Sequence, residues 1–93
     1  MEAKNPQKMS DLPVSFITVL MSFASSAVLA LGLEKNPHTD KYEKDIPVAR
    51  FNIDMLKLLK DKTKNNLSAE EQQFLDMAIN DLQMKFVYAS QNT

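Results

Sequence analysis

Residues 12–33 read LPVSFITVLMSFASSAVLALGL and contain no charged side chain. Any fold must shield this segment from water, because burial of apolar surface is the main force in folding. Asp11 can cap backbone N–H groups, Pro13 suits a first helical turn, and Gly32 suits the left-handed residue that closes a helix. The segment therefore predicts a helix over residues 13–31.

The predicted first helix has two different faces. At helical spacing, small hydroxyl-bearing residues fall on one side and large apolar residues on the other. The apolar side consists of Phe16, Leu20, Phe23, Ala27 and Leu31. Leaving its four large members in water would cost about 6–12 kcal/mol, at roughly 1.5–3 kcal/mol each. That cost is comparable with the whole stability of a small domain, so we expect this face to be buried in an oligomer.

Two other interpretations of residues 12–33 remain open. In the first, the protein is associated with the inner membrane and this helix is inserted in the bilayer, since about 20 apolar residues can span one. The balanced flanking lysines and the absence of Trp and Tyr at the edges of the segment speak against it. In the second, Lys4, Lys8, the apolar run and the small residues Ser25-Ser26-Ala27 form a cleaved signal peptide. We favour the buried helix of a cytoplasmic protein.

Composition narrows the class of protein. A chain of 93 residues suggests one domain, here residues 11–90, between a disordered arm at residues 1–10 and a frayed end at residues 91–93. The net charge of −1 does not favour nucleic acid. The absence of cysteine excludes disulfides and thiolate metal sites and suits a reducing compartment. The single glycine argues against hairpins and phosphate loops.

A second helix is predicted over residues 46–64. Asp45 can cap it, and Pro47 is tolerated in its first turn. Its apolar residues cover a wide arc, so we expect it to touch two neighbours. The lysines near its end, between residues 57 and 64, suit the negative end of the helix dipole and solubility. A phosphate-binding patch is the alternative interpretation of these lysines.

A third helix is predicted over residues 69–89. Asn65 and Asn66 suit the turn before it, because asparagine tolerates left-handed backbone. Ser68 and Glu71 fit the capping box, in which each side chain bonds the backbone N–H of the other.

The third helix also has an apolar stripe besides the one expected to face the core. This second stripe consists of Phe74, Met77, Met84 and Tyr88. It is our candidate for a subunit or partner contact, and packing against the first helix of the same chain is the alternative. Asp81 beside it can pair with Lys85 one turn away.

Residues 34–44 are expected to be a loop. Asn36-Pro37 is a turn signal, since the residue before proline is pushed out of the helical region. His38 is the only histidine of the chain. We interpret it as a solvated loop residue rather than a metal ligand with Asp40, because further soft or imidazole ligands are lacking. No metal and no cofactor are expected.

The second and third helices contain residues that resemble a known family. They are Ala49-Arg50, Ile53-Asp54, Leu56, Leu59, the run Lys62-Thr63-Lys64-Asn65-Asn66-Leu67, Glu70-Glu71, Leu75, Asp81-Leu82 and Phe86-Val87. These residues, and the stretch 14–87 that contains them, resemble the bacterial domain-of-unknown-function family numbered eighteen forty-four. The family prefers glycine at Asn65 and arginine at Gln83. The resemblance implies a small bacterial helical protein and brings no catalytic residues.

These observations together predict an all-α fold of three helices. Helices two and three should form an antiparallel hairpin, because short connections favour antiparallel neighbours. A second copy of the chain should complete the core, most simply as a two-fold homodimer. No nucleophile lies beside a base in the sequence pattern. The expected function is therefore a non-enzymatic, homo-oligomeric interaction or adaptor module.

Overall fold

A computed structural model describes residues 12–91 of the protein. Its elements in chain order are α1 (Phe16–Ala30), β1 (Leu31–Asn36), β2 (Lys41–Lys44), α2 (Ile46–Lys62) and α3 (Ala69–Gln91). The three predicted helices are confirmed, but the two strands make the fold mainly helical rather than all-α. The predicted arm at residues 1–10 and the last two residues of the predicted frayed end lie outside the described residues.

The first helix starts later than predicted. Ser15 is its N-cap, with an extended backbone (φ −154°, ψ 163°), and its Oγ accepts a hydrogen bond from Thr18 N–H at 3.1 Å. Pro13 therefore precedes the helix, and its carbonyl accepts a hydrogen bond from Thr18 Oγ1 at 2.7 Å. The nearer cap determines the start, because the extended conformation of Ser15 interrupts helical backbone. The proposed cap Asp11 lies outside the described residues.

The expected loop at residues 34–44 is mostly an antiparallel hairpin, and that prediction was wrong. Asn36 pairs with Lys41 at the turn and Leu31 with Lys44 at the open end, with an irregular register between them. Asp40 has φ 59°, so an aspartate adopts the left-handed conformation in the hairpin turn that we expected only glycine to provide. Asn36 closes the turn, since its carbonyl accepts from Asp40 N–H at 2.7 Å and its Oδ1 from His38 N–H at 2.8 Å.

Two hydrogen bonds attach the hairpin strands and the residue after them to the ends of helices α1 and α3. Asp45 N–H donates to the Ala30 carbonyl at 2.7 Å, which joins the start of α2 to the end of α1. Lys44 Nζ donates to the Ala89 carbonyl at 3.0 Å. That carbonyl belongs to the last turn of α3, where helix carbonyls lack intrahelical partners and a cation is favourable. Gly32, at φ 78°, is the left-handed residue after α1, as predicted.

Local signals account for the ends of α2 and α3. Asp45 Oδ1 accepts from Val48 N–H at 3.2 Å, so it caps α2 as expected. The capping box of α3 is present: Glu71 N–H donates to Ser68 Oγ at 3.1 Å, and Ser68 N–H donates to Glu71 Oε1 at 2.9 Å. Asn65 has φ 68°, as the turn prediction required.

Helices α2 and α3 pack antiparallel, as predicted. Lys60 near the end of α2 pairs with Asp76 near the start of α3, with Nζ to Oδ1 at 2.8 Å. Towards the other end of the pair, Ile53 and Phe86 line the same groove. Helix α1 packs against both α2 and α3.

One apolar core joins all three helices and β1. Its largest fully buried side chains are Leu20, Leu31, Leu56 and Leu75. The Cα atoms extend over 41 × 38 × 15 Å, so the fold is thin in one direction.

Residues 12–33 do not form one continuous helix, because α1 ends at Ala30 and the chain continues into β1. Among residues 12–91, no helix combines the length and the apolar character that crossing a bilayer requires.

Candidate interaction surface

The most exposed large apolar side chains of α3 form a row on its outer side. Met77, Met84 and Tyr88 are 61%, 68% and 69% exposed, respectively. Seven and then four positions separate them, which places them on one side of a helix. Leu75 and Leu82 are buried on the opposite side, towards the core. We refer to Met77, Met84 and Tyr88 as the α3 outer row.

The two flanks of the α3 outer row differ in charge. On one flank, Lys85 Nζ lies 2.8 Å from Asp81 Oδ2, one helical turn away. On the other flank, the exposed side chains of Gln73, Asn80 and Gln91 are uncharged. The row is therefore bordered on one side by a matched pair of opposite charges and on the other by polar neutral groups.

A groove of about 340 Å³ between α2 and α3 lies beside the neutral flank. It is lined by Arg50, Ile53, Asp54, Lys57, Gln83, Phe86 and Val87. A shallower depression shares Gln83 and Val87 with it and also includes Met84. Apolar surface is therefore continuous from the groove to the α3 outer row.

A second exposed apolar row, which the sequence pattern did not single out, runs along α2. Val48, Phe51 and Leu58 are 43%, 60% and 46% exposed, and we refer to them as the α2 outer row. The wide apolar arc predicted for the second helix was the sequence feature that indicated this row. Helix α2 touches two neighbours, as expected, but α1 and α3 do not cover the whole arc.

The candidate interface residues of the predicted first helix, of which Leu31 begins β1, lie in or against the core of the single protomer. Leu20, Ala27 and Leu31 are fully buried there, and Phe16 and Phe23 are partly buried and pack against that core. The apolar face that we expected a second copy to cover is thus covered largely by α2, α3 and the hairpin. Phe74 of α3 is likewise partly buried against the core. Of the predicted interface residues, Met77, Met84 and Tyr88 are the exposed ones.

The turn and cap residues Asn65, Asn66, Ser68 and Glu71 lie just before α3 or in its first turn. Asn66 N–H donates to the Thr63 carbonyl at 2.9 Å, beside the left-handed Asn65. Ser68 and Glu71 bond to each other's backbone, as described above. None of these groups reaches the α3 outer row, so they position α3 rather than contribute to its surface.

The lysine cluster borders a separate depression of about 450 Å³, which is lined by Lys57, Lys60, Asp61, Lys64, Asn65 and Gln72. Lys60 forms an ion pair with Asp76. The hydrogen bond from Lys60 lowers the pKa of the Asp76 carboxyl group below its ordinary value. Gln72 Nε2, which donates to the same Asp76 oxygen at 3.2 Å, lowers the pKa further. These contacts join two helices, which agrees with a structural role.

His38 and Asp40, which we considered as a metal-ligand pair, lie in the hairpin turn. His38 is exposed, and the nearby Asp40 lies 3.6 Å from Lys35 Nζ. Within residues 12–91, no group of three or more His, Cys, Asp and Glu side chains is arranged to hold a metal ion.

Comparisons with known proteins place the chain in a family without an assigned activity. No curated protein sequence matches it, and no solved structure does. The sequence profile of DUF1844, a domain of unknown function, matches residues 13–88, which include all five described elements except the last residues of α3. The chain therefore belongs to the DUF1844 family.

Proposed function

We propose that the protein is a non-enzymatic interaction module that forms a homodimer through the α3 outer row and serves as an adaptor for a further protein. The exposure of Met77, Met84 and Tyr88 carries this proposal. Contiguous exposed apolar patches larger than roughly a few hundred Å² are rare on monomeric proteins and mark sites of interaction. Methionine and tyrosine are also enriched at protein interfaces, and the flexible methionine side chain adapts to a partner's shape.

The dimensions of the protein support self-association. A specific interface buries about 800 Å² on each partner. The Cα atoms extend over 41 and 38 Å in the two long directions, so the protein is large enough for an interface of that area. Chains of this size bury a modest fraction of their surface alone, so a second copy adds stability that one core does not supply.

The α2 outer row supports the adaptor part of the proposal. Val48, Phe51 and Leu58 lie on a different helix from the α3 outer row. A dimer formed through α3 would leave them exposed. Each protomer would then present a second apolar surface to a partner protein.

Sedimentation equilibrium of the full chain tests the dimer. We expect twice the chain mass of 10.6 kDa for the wild type. Met84→Asp should give the mass of one chain, because a charge in the middle of a desolvated interface is costly. Phe51→Asp is the matched control, since Phe51 is similarly exposed at 60% but lies on α2. It should leave the dimer intact.

Two results would contradict the dimer. In one, the wild type sediments as a single chain at every concentration. In the other, Phe51→Asp dissociates the dimer and Met84→Asp does not, which would place the interface on α2.

The adaptor part needs its own measurement. Wild type, Phe51→Asp and Met84→Asp would be immobilised separately and exposed to a lysate of the native cell. We expect a defined protein to be retained by the wild type and lost with Phe51→Asp. If the same proteins are retained by the wild type and by Phe51→Asp, the α2 outer row is not a partner surface.

A further inference from the structure

We infer that the second copy of the chain packs antiparallel along α3, with Met77 of one protomer opposite Tyr88 of the other. This inference rests on the proposed dimer and adds its orientation and register. The charges beside the α3 outer row carry it. In an antiparallel helix pair related by a two-fold axis, each flank faces the same flank of the partner helix.

The charged flank is complementary to itself only in this orientation. Antiparallel packing brings Asp81 of one protomer next to Lys85 of the other, and the converse contact follows by symmetry. The intrahelical pair at 2.8 Å would then become a cluster of two acidic and two basic groups. Parallel packing would instead place this flank against the uncharged side chains of Gln73, Asn80 and Gln91, and the two charged flanks would not meet.

The apolar residues agree with the same register. When Asp81 of one helix lies opposite Lys85 of the other, Met77 lies within one residue of the position opposite Tyr88 of the partner helix. The two ends of the α3 outer row therefore cover each other. On the neutral flank, Gln73 of one helix lies within two residues of the position opposite Gln91 of the partner helix. The helix dipoles then run in opposite directions, which is the favourable arrangement for neighbouring helices.

Cysteine cross-linking tests the orientation directly, because the natural chain has no cysteine. We would make Gln73→Cys and Gln91→Cys as two separate variants, which leave the α3 outer row unchanged. The two positions are 18 residues apart on α3, or about 27 Å at 1.5 Å per residue. A short bis-maleimide therefore cannot join two copies of the same variant in the antiparallel dimer.

We expect a cross-linked dimer when the two variants are mixed and allowed to exchange, and none from either variant alone. Cross-linking of each variant alone would indicate parallel packing and would overturn the inference. A dimer by sedimentation that gives no cross-link in any sample would also overturn it, while the proposed dimer stands. A chain that stays monomeric would overturn both.

Charge reversal tests the self-complementary flank. Asp81→Lys makes the flank wholly basic, and Lys85→Asp makes it wholly acidic. Each should weaken its homodimer at least about tenfold, because like charges meet across the interface. An equimolar mixture should recover the dimer as a heterodimer.

Lys35→Asp is the control for these variants. It replaces the exposed pair between Lys35 Nζ and Asp40 Oδ1, 3.6 Å apart in the hairpin, with two like charges on an element other than α3. It should leave dimerisation unchanged. If Asp81→Lys and Lys85→Asp dimerise as well as the wild type, the flank does not lie at the interface and the inference fails.

Discussion

Lys60 Nζ lies 2.8 Å from Asp76 Oδ1, and this ion pair joins α2 to α3. Gln72 Nε2 donates to the same Asp76 oxygen at 3.2 Å, from one turn earlier in α3. The hydrogen bond from Lys60, followed by the one from Gln72, lowers the pKa of Asp76 in the folded protein, although partial burial acts in the opposite direction. The ionised form of Asp76 therefore contributes to the contact between α2 and α3.

The first prediction concerns acid sensitivity. Because the pKa of Asp76 is lower in the folded protein than in the unfolded chain, where it is roughly 3.9, its contribution is complete above the unfolded value. It is lost as the pH falls through the folded value. Asp76→Asn should lower the urea midpoint at neutral pH and lose less stability than the wild type on acidification to about pH 2.

Asp54→Asn is the control for this prediction, because its pair with Arg50 is longer, at 4.0 Å, and lies within one helix. It should change the urea midpoint less than Asp76→Asn does. Equal acid sensitivity of Asp76→Asn and the wild type would show that the Asp76 contact does not contribute to folding.

The second prediction separates core from surface on α2. Leu56 is fully buried, so Leu56→Ala should destabilise the protein by about 2–5 kcal/mol. Leu58, two positions away, is 46% exposed, so Leu58→Ala should cost less than about 1 kcal/mol. Urea unfolding of both variants at one protein concentration measures the difference. Equal losses would mean that Leu58 is covered, in the protomer or in an assembly.

The third prediction concerns the turn between α2 and α3. Asn65 has φ 68°, a conformation that glycine adopts without the steric cost of a Cβ. Asn65→Gly should leave the melting temperature unchanged or raise it. Asn65→Ala should lower the melting temperature, because it should reduce the free energy of unfolding by about 1 kcal/mol. Asn66→Ala is the control, because Asn66 does not have positive φ. A melting temperature that is unchanged in Asn65→Ala would contradict the left-handed turn.

The fourth prediction concerns the junction between α1 and the hairpin. Gly32 has φ 78°, and a Cβ added there would lie 3.1 Å from Lys44 Cγ. Gly32→Ala should destabilise the protein by about 1–2 kcal/mol through the left-handed backbone alone. Thermal unfolding measures this loss, and Lys44→Ala is the reference variant.

Adding Lys44→Ala to Gly32→Ala separates two causes. The double variant removes the close contact but keeps the backbone strain, and it also loses the bond from Lys44 to the Ala89 carbonyl. We therefore expect it to be no more stable than Gly32→Ala. Full recovery in the double variant would show that side-chain crowding, and not the left-handed backbone, causes the loss.

The α3 outer row was partly predictable. The helical spacing of Met77, Met84 and Tyr88 separates them from the stripe that faces the core, but spacing does not say whether α1 covers them. In the folded protein α1 lies on the other side of α3, so this row is exposed, whereas the neighbouring Phe74 is not. The α2 outer row was not predictable in the same way, because a wide apolar arc does not show which of its residues a neighbour covers.

Features that depend on a few adjacent residues could be inferred from the amino-acid pattern. The cap at Asp45, the capping box of Ser68 and Glu71, and the left-handed Gly32 and Asn65 all involve bonds or steric limits within about four residues. The hairpin was missed although its turn is local, because Asp40 rather than glycine adopts the left-handed conformation. The side of each helix that its neighbours cover could not be inferred, because it depends on contacts between distant parts of the chain. Lys44 reaches Ala89 across 45 positions, and only packing of the helices brings those groups together.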